Sequence, residues 1–198
     1  DVFDARRDEL AASGVVLKKG VNPSTDLEPE YIAVSGGKAY ITLQENNAIA
    51  VLDLTSRTFD GIYSAGFEDY GVTPVDIDKK DDAYAPKTYG SLMGIRMPDA
   101  IAAFQAEGKT YLVTANEGDA REWGNEDLGT FYLNEDERDF GDEGVTSPTG
   151  AITAENSGLT GKVVFFKSGD FDGLDTGKDY LFGGRTFTIY EAGENGIT

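Results

Sequence analysis

The chain has 198 residues, of which 36 are acidic and 17 are basic, so its formal net charge at pH 7 is −19. A surface this negative repels phosphate backbones and anionic headgroups, which disfavours nucleic acids and membrane surfaces as partners and favours cations. The sequence contains neither histidine nor cysteine. These two absences exclude serine–histidine triads, thiol nucleophiles, disulfides, and metal sites built on imidazole or thiolate.

The predicted secondary structure is mainly β. A helix is expected only over Val2–Ser13, ended by Gly14. The other apolar segments are short, alternate with polar residues and are rich in Val, Ile, Tyr, Phe and Thr, as strands are. The predicted strands are Tyr31–Ser35, Lys38–Gln44, Ala48–Leu54, Thr58–Ser64, Ala100–Gln105, Thr110–Ala115, Lys162–Lys167, Asp179–Gly183 and Thr186–Glu191. No apolar stretch approaches the ~20 residues of a membrane span, so direct membrane insertion is not expected.

An internal repeat relates the segments that begin at Pro29 and Pro98. Each copy has a strand, a Gly-Lys turn, a second strand and then a cluster of amides and carboxylates. Such repeats are typical of propellers, whose four-stranded blades take about 40–45 residues. The sequence therefore predicts a partial β-propeller of about two to three four-stranded antiparallel blades with long acidic loop insertions.

The predicted domain organisation follows from this repeat. Residues 1–25 form an N-terminal helical or linker segment, and residues 26–198 form the propeller segment. The blades are placed near 29–64, 98–167 and 179–198, with insertions at 65–96 and 122–158. Because propellers close with about four to eight blades, we expect a piece of a longer protein. Its open edges would be covered by further blades of the same polypeptide or by self-association.

The repeat also predicts a site. In a blade meander the start of the first strand and the end of the second lie on the same face, so repeat symmetry gathers their polar residues around one mouth of a central channel. The candidates for ligand or metal binding there are Glu30, Glu45, Asn46, Asp99, Asn116, Glu117 and Asp119. Clustered carboxylates take up protons, pair with a base or bind a cation, and Ca²⁺ suits ligand sets made of oxygen alone. The alternative is that these residues cap turns, lie in solvent or pair with Arg121.

A second calcium candidate is the Asp- and Gly-rich segment from Asp170 to Asp179. Its possible metal ligands are Asp170, Asp172, Asp175 and Asp179. The segment is not an EF-hand, because its glycine comes too early and Leu181 stands where a bidentate Glu is needed. The alternative is an ordinary acidic hairpin turn.

Several of these motifs resemble the choice-of-anchor I family. The runs that carry the resemblance are LQENNA from Leu43, TANEGDARE from Thr114 and FGGRTFTIY from Phe182. The resemblance extends from about Asp26 to Glu191. It implies an extracellular or surface-anchored bacterial β-propeller protein, of a family often labelled alkaline-phosphatase-like or mesenchyme-specific cell surface glycoprotein-like.

Three functions remain open at this level. The first is an extracellular or surface-anchored binding module for a small molecule, a cation or a cell-surface ligand, with calcium as the expected cofactor. The second is a metal-dependent phosphoesterase, alkaline-phosphatase-like or phytase-like, in which carboxylates of the channel mouth hold cations and Arg121 binds the substrate phosphate. The third is a structural piece that associates with itself. The absence of a catalytic base constellation favours the first, and the sequence assigns no catalytic residue.

Overall fold

A computed structural model describes residues 2–78, 82–121, 123–125, 130–132, 137–139, 145–159, 163–194 and 196–198. Of the segments between 123 and 139 it describes the backbone alone. The predicted insertion at 122–158 therefore lies partly outside the described residues, as does Lys162, the first residue of a predicted strand.

Short helices occur at four places in the described part of the chain, one of them the 3₁₀ turn Ser168–Asp170. The predicted N-terminal helix is confirmed as one 3₁₀ turn, Asp4–Arg6, followed by α1 (Arg7–Ala12). The α-helices α2 (Pro23–Asp26) and α3 (Ala154–Ser157) are single turns. Among the described residues, no helix combines the length and the apolar character needed to cross a membrane.

Seventeen short strands lie in the described part of the chain. In chain order the strands are β1 (Leu17–Lys18), β2 (Ile32–Ser35), β3 (Lys38–Leu43), β4 (Ala48–Asp53), β5 (Thr58–Ser64), β6 (Phe67–Asp69), β7 (Leu92–Ile95), β8 (Pro98–Ala106), β9 (Lys109–Asn116), β10 (Trp123–Asn125), β11 (Thr130–Tyr132), β12 (Glu137–Asp139), β13 (Val164–Phe166), β14 (Phe171–Asp172), β15 (Asp179–Phe182), β16 (Thr186–Gly193) and β17 (Gly196–Ile197). The prediction of a mainly β chain is confirmed.

The first sheet is the antiparallel meander β2-β3-β4-β5, and its strands match the four predicted over residues 31–64. Both faces of this sheet are buried, because β3 and β4 carry apolar residues on each side. One face packs against Leu10, Val15 and Leu17 of the N-terminal segment. The other packs against the second sheet through Tyr40, Ile49 and other side chains.

The second sheet has the order β8-β9-β16-β17 and is also antiparallel. Its third strand, β16, pairs with β9 so that Thr186 lies opposite Asn116. This grouping differs from the predicted blades near 98–167 and 179–198, because strands from both form one sheet. The reason is that residues 117–185 leave the sheet after β9, and the chain then returns to complete it.

A third, smaller sheet has the order β15-β7-β6. Strand β7 pairs in parallel with β15 and antiparallel with β6. Both β6 and β7 lie within the segment 65–96, which the sequence analysis treats as an insertion between blades. That segment therefore supplies part of the fold's central structure, and Leu92 and Ile95 are fully buried.

The first and second sheets stack face to face with their strands in the same order. Strand β8 lies against β2 and β3, and β17 lies against β5. The core between them contains Tyr40, Ile49, Val51, Leu112 and Tyr190. Successive propeller blades stack in this manner, but the described sheets do not close on one another, and the partial propeller stays a prediction.

Candidate functional site

The meander geometry brings the two ends of each repeat together, as predicted. In the first repeat the backbone N–H groups of Glu30 and Tyr31 donate to the carbonyl and the hydroxyl oxygen of Thr42, both at 3.0 Å. In the second repeat Pro98 lies directly opposite Asn116. The polar residues that precede the first strand therefore lie beside those that follow the second.

Glu45 is the most perturbed carboxyl group of the first repeat. Its side chain is 7% exposed, and Oε2 has no hydrogen-bond partner among the described residues. Burial raises the pKa of Glu45 to about 7, with a further contribution from the negative charges of Glu28 and Glu30. The positive charge of Arg121 opposes this rise. At neutral pH Glu45 is therefore close to half protonated.

Arg121 lies in the interior rather than at a channel mouth. Its Nε is 3.2 Å from Oδ1 of Asp26, and the two side chains are 2% and 0% exposed. One guanidinium N–H donates to the carbonyl of Val16 at 3.2 Å, and the guanidinium lies 5.0 Å from the ring centroid of Phe171. A guanidinium held in this way is part of the core, so its position gives no support to the predicted role in binding substrate.

The two predicted amide ligands also serve the fold. Asn46 is fully buried. Its Nδ2 donates to the carbonyl of Val16 at 3.0 Å and to Asp26 Oδ2 at 3.2 Å, and its Oδ1 accepts from the N–H of Glu28 at 3.2 Å. Because these bonds use the polar atoms of its amide, Asn46 is not free to bind a ligand from solvent.

Asn116 has the equivalent role in the second sheet and is 3% exposed. Its Nδ2 donates to the hydroxyls of Thr186 and Thr188 at 2.9 and 2.8 Å, and its Oδ1 accepts from Thr114 at 2.9 Å. These bonds connect β9 to β16. In both asparagines the side-chain amide is therefore used by contacts within the fold.

The carboxylates of the second repeat face solvent. Glu117 is exposed, and its carboxyl group lies within hydrogen-bonding reach of Asp99. The charge of Asp99 and that hydrogen bond raise the pKa of Glu117, with smaller contributions from burial and from Asp119. Asp119 itself is exposed, and its Oδ1 accepts from the N–H of Ala120 at 2.8 Å.

A cleft forms where the chain after β9 crosses the chain after β15. Gly118 and Gly183 both have positive φ, at 95° and 73°, and a Cβ on either would overlap the backbone of the other segment. Glycine is required at both positions, because no other residue allows so close a crossing. Beside the crossing is a cleft of about 300 Å³ whose polar side chains are Glu117, Asp119 and Arg185.

The family assignment follows from a comparison with known families. The model of the choice-of-anchor I domain matches residues 1–197. The chain belongs to the choice-of-anchor I family. No curated protein and no solved structure gives a significant match. Since the match begins at residue 1, the N-terminal segment that covers the first sheet is part of the choice-of-anchor I domain. Membership of this family suggests a surface-associated domain.

The carboxylates of the Asp-rich segment of this choice-of-anchor I domain make separate contacts. Asp172 pairs with Arg7, with 2.7 Å between Oδ2 and the guanidinium nitrogen. Asp175 Oδ1 accepts from the N–H of Gly177 at 2.8 Å, a local turn contact. Asp179 is buried, and Thr149 donates to both of its oxygens, at 2.9 and 2.7 Å.

The fourth member, Asp170, is exposed, and its backbone carbonyl accepts from the N–H of Lys19 at 3.0 Å. The four side chains therefore do not converge, because Asp172, Asp175 and Asp179 have separate partners. More generally, no three Asp or Glu side chains within the described ranges are placed to hold a metal ion together.

The carboxylates of the channel-mouth prediction fall into two groups, one for each repeat. Burial, the charges of Glu28 and Glu30, and the opposing charge of Arg121 act on the pKa of Glu45, and Asp99 and Asp119 act on the pKa of Glu117. The sequence analysis missed the Asp26–Arg121 pair, which has no recognisable local signal. It also missed Asn47, whose Nδ2 donates to the Gly66 carbonyl at 2.9 Å and whose Oδ1 accepts from the N–H of Met97 at 3.0 Å. Asn47 thereby joins the two repeats, and its φ of 53° is a conformation that asparagine tolerates.

Proposed function

We propose that this domain is a binding module of an extracellular or cell-surface protein, and that the cleft beside Glu117 is its ligand site. The observation that carries the proposal is the crossing of two glycines, which holds Glu117, Asp119 and Arg185 around one opening. A crossing that tolerates only glycine fixes the positions of the side chains beside it. The carboxylates there are exposed, whereas the polar groups around Arg121 are buried.

The carboxylates in and next to the cleft favour a cation, since Glu117 and Asp119 outweigh the single positive charge of Arg185. Two carboxyl groups within hydrogen-bonding reach, Glu117 and Asp99, repel each other when both are ionised, and Asp119 adds a third negative charge. A hard cation relieves this repulsion, and carboxylate oxygens with nearby backbone carbonyls are ligands that Ca²⁺ accepts. We therefore propose calcium as the first ligand to test, with the cation serving to hold a small molecule or a cell-surface ligand.

The phosphoesterase hypothesis is less well supported than the binding module. Arg121, the residue predicted to bind the substrate phosphate, is enclosed next to Asp26, and Arg185 is the basic side chain that lines the cleft. The binding module requires only the exposed carboxylates.

The first test is titration calorimetry of the chain with CaCl₂. We expect one binding event that the Glu117→Gln substitution weakens about tenfold or more, because the variant loses one of two adjacent charged ligands. The matched control is Glu107→Gln, which makes the same change in charge in the exposed turn between β8 and β9. Calcium binding that is unchanged in Glu117→Gln, or weakened equally in both variants, would reject this site.

The same titration should depend on pH in a defined direction. Because Asp99 raises the pKa of Glu117, protons compete with the cation more effectively there than at an isolated glutamate. We expect the affinity for Ca²⁺ to fall as the pH is lowered from 7 to 5, and to fall less in Glu117→Gln. Equal pH dependence in both proteins would indicate that the cation binds elsewhere.

A further inference from the structure

The second sheet exposes much of one face to solvent. Strand alternation places Lys109 and Glu191 at one end of this face, and it places the following apolar side chains on the rest of it: Ala100, Ala102, Phe104, Tyr111, Val113, Ala115, Phe187 and Ile189. We call these eight residues the open face. Phe187 is 71% exposed, Ile189 is 54% exposed and Phe104 is 43% exposed. The first sheet differs, because the N-terminal segment covers one of its faces and the second sheet covers the other.

The open face is large for a protein surface in water. Its three most exposed large side chains alone present on the order of 300 Å² of apolar surface. The largest apolar patch on a typical monomer is about 300–600 Å² and often has a function. None of the eight residues carries a charge. In a chain with a net charge of −19, an uncharged surface of this extent points to a partner.

Side-chain size changes systematically across the open face. In one row, Ala102 lies opposite Val113, and Val113 lies opposite Ile189. In the next row, Ala115 lies opposite Phe187, and the exposed Ala100 lies at the adjacent bulge of β8. In these two rows small side chains occupy the β8 side and large ones the β16 side, whereas in the third row Phe104 of β8 lies opposite Tyr111, and Tyr111 lies opposite Glu191.

We propose that the open face is the interface of a two-fold symmetric dimer, in which a second copy of this chain covers it. A two-fold axis that runs along the strands near Val113 places the β16 side of each copy over the β8 side of the other. Phe187 and Ile189 then lie over Ala100 and Ala102 of the second copy, so large side chains meet small ones in both directions. A two-fold interface must be complementary to itself in this way.

The chain already contains a contact of the same kind. The second sheet meets the first through alternating apolar side chains with the strands in the same order. The dimer would repeat this sheet-on-sheet packing on the opposite side. Charge lies at the end of the face, where Lys109 and Glu191 form an exposed ion pair at 2.8 Å. The net charge opposes association over a Debye length of about 8 Å at 0.15 M salt, so dimer formation should strengthen with salt.

The test is sedimentation velocity of the whole chain over a range of concentrations, at low salt and at 0.5 M NaCl. We expect a reversible equilibrium between the 21.3 kDa chain and its dimer, shifted toward the dimer by salt. Ile189→Lys should abolish the dimer, because it places a charge at the centre of the contact. The control is Val72→Lys at another apolar site, 76% exposed, which should leave the equilibrium unchanged. Circular dichroism shows whether each variant keeps its fold.

A second measurement does not depend on stability. The chain has no cysteine, so Val113→Cys introduces a single thiol close to the proposed axis. Under mild oxidation it should form a disulfide-linked dimer at least tenfold faster than Val72→Cys. The proposal is overturned by a chain that remains monomeric at all concentrations and salts, by oligomers that grow beyond two copies, or by equal cross-linking rates in the two variants. The first of these results would assign the open face to a different partner.

Discussion

Replacing Arg121 by methionine is expected to lower the free energy of unfolding by about 3–5 kcal/mol. The substitution removes the positive charge that lies 3.2 Å from Asp26 and leaves this carboxylate buried without its counter-charge. Among the described residues, Asp26 keeps the hydrogen bonds from the N–H of Lys18 and from Asn46. Urea unfolding followed by circular dichroism measures the loss.

Two further variants make this result specific. Asp26→Leu combined with Arg121→Met removes both charges and should restore most of the lost stability, since replacing a buried ion pair by apolar groups is often close to neutral. Arg6→Met breaks an exposed ion pair with Glu9, which solvent screens, and should change unfolding little. If Arg121→Met unfolds at the same urea concentration as the unaltered chain, the pair does not stabilise the fold.

The second large effect concerns the pH dependence of stability through Glu45. The pKa is about 7 in the folded chain and 4.5 in the reference state, so the folded state binds the proton more tightly. The contribution of Glu45 is fully present below pH 4.5 and is lost as the pH rises through 7. By linkage the loss amounts to about 3 kcal/mol.

The variant Glu45→Gln keeps the shape of the side chain and cannot ionise. Relative to the unaltered chain, we expect it to be similar in stability at pH 4.5 and about 2–3 kcal/mol more stable at pH 8. Taking the difference between the two proteins at each pH cancels the effect of the other carboxylates. The same comparison with Glu107→Gln should show no such change. A difference between Glu45→Gln and the unaltered chain that is the same at both pH values would contradict the assignment.

Much of the β structure could be predicted because the strands carry their own signal. In the first sheet the nearly continuous apolar runs of β3 and β4 and the Gly-Lys turn before β3 predict the meander from local sequence. Strands β6 and β7 could not be predicted in the same way. They are three and four residues long, and β7 contains Gly94, so their β structure depends on pairing with each other and with β15.

The pairing of β16 with β9 could not be predicted from the sequence either. About seventy residues separate these strands, and the hydrogen bonds that match them, from Asn116 to Thr186 and Thr188, can be recognised only in space. For the same reason the repeat suggested a separate blade at 179–198. When a strand follows a long insertion, its own sequence does not show which sheet it pairs with.

The sequence placed residues of one repeat near each other more accurately than it placed residues of different repeats. Meander geometry places Asp99 beside Glu117, which the structure confirms. Arg121 was expected near these carboxylates because it follows them closely along the chain. The chain instead turns inward after Ala120, which is buried, and brings Arg121 to Asp26. A buried ion pair depends on two segments that are distant in sequence, so neither partner identifies the other.

The central claim is that the carboxylates beside the glycine crossing bind a cation, and a crystal structure of the chain grown with CaCl₂ tests it most directly. We predict one strong peak of density between Asp99 and Glu117, with oxygen ligands at about 2.3–2.6 Å. The claim is contradicted if that position is empty in crystals that contain Ca²⁺, or if the cation lies only elsewhere, for example beside Asp172.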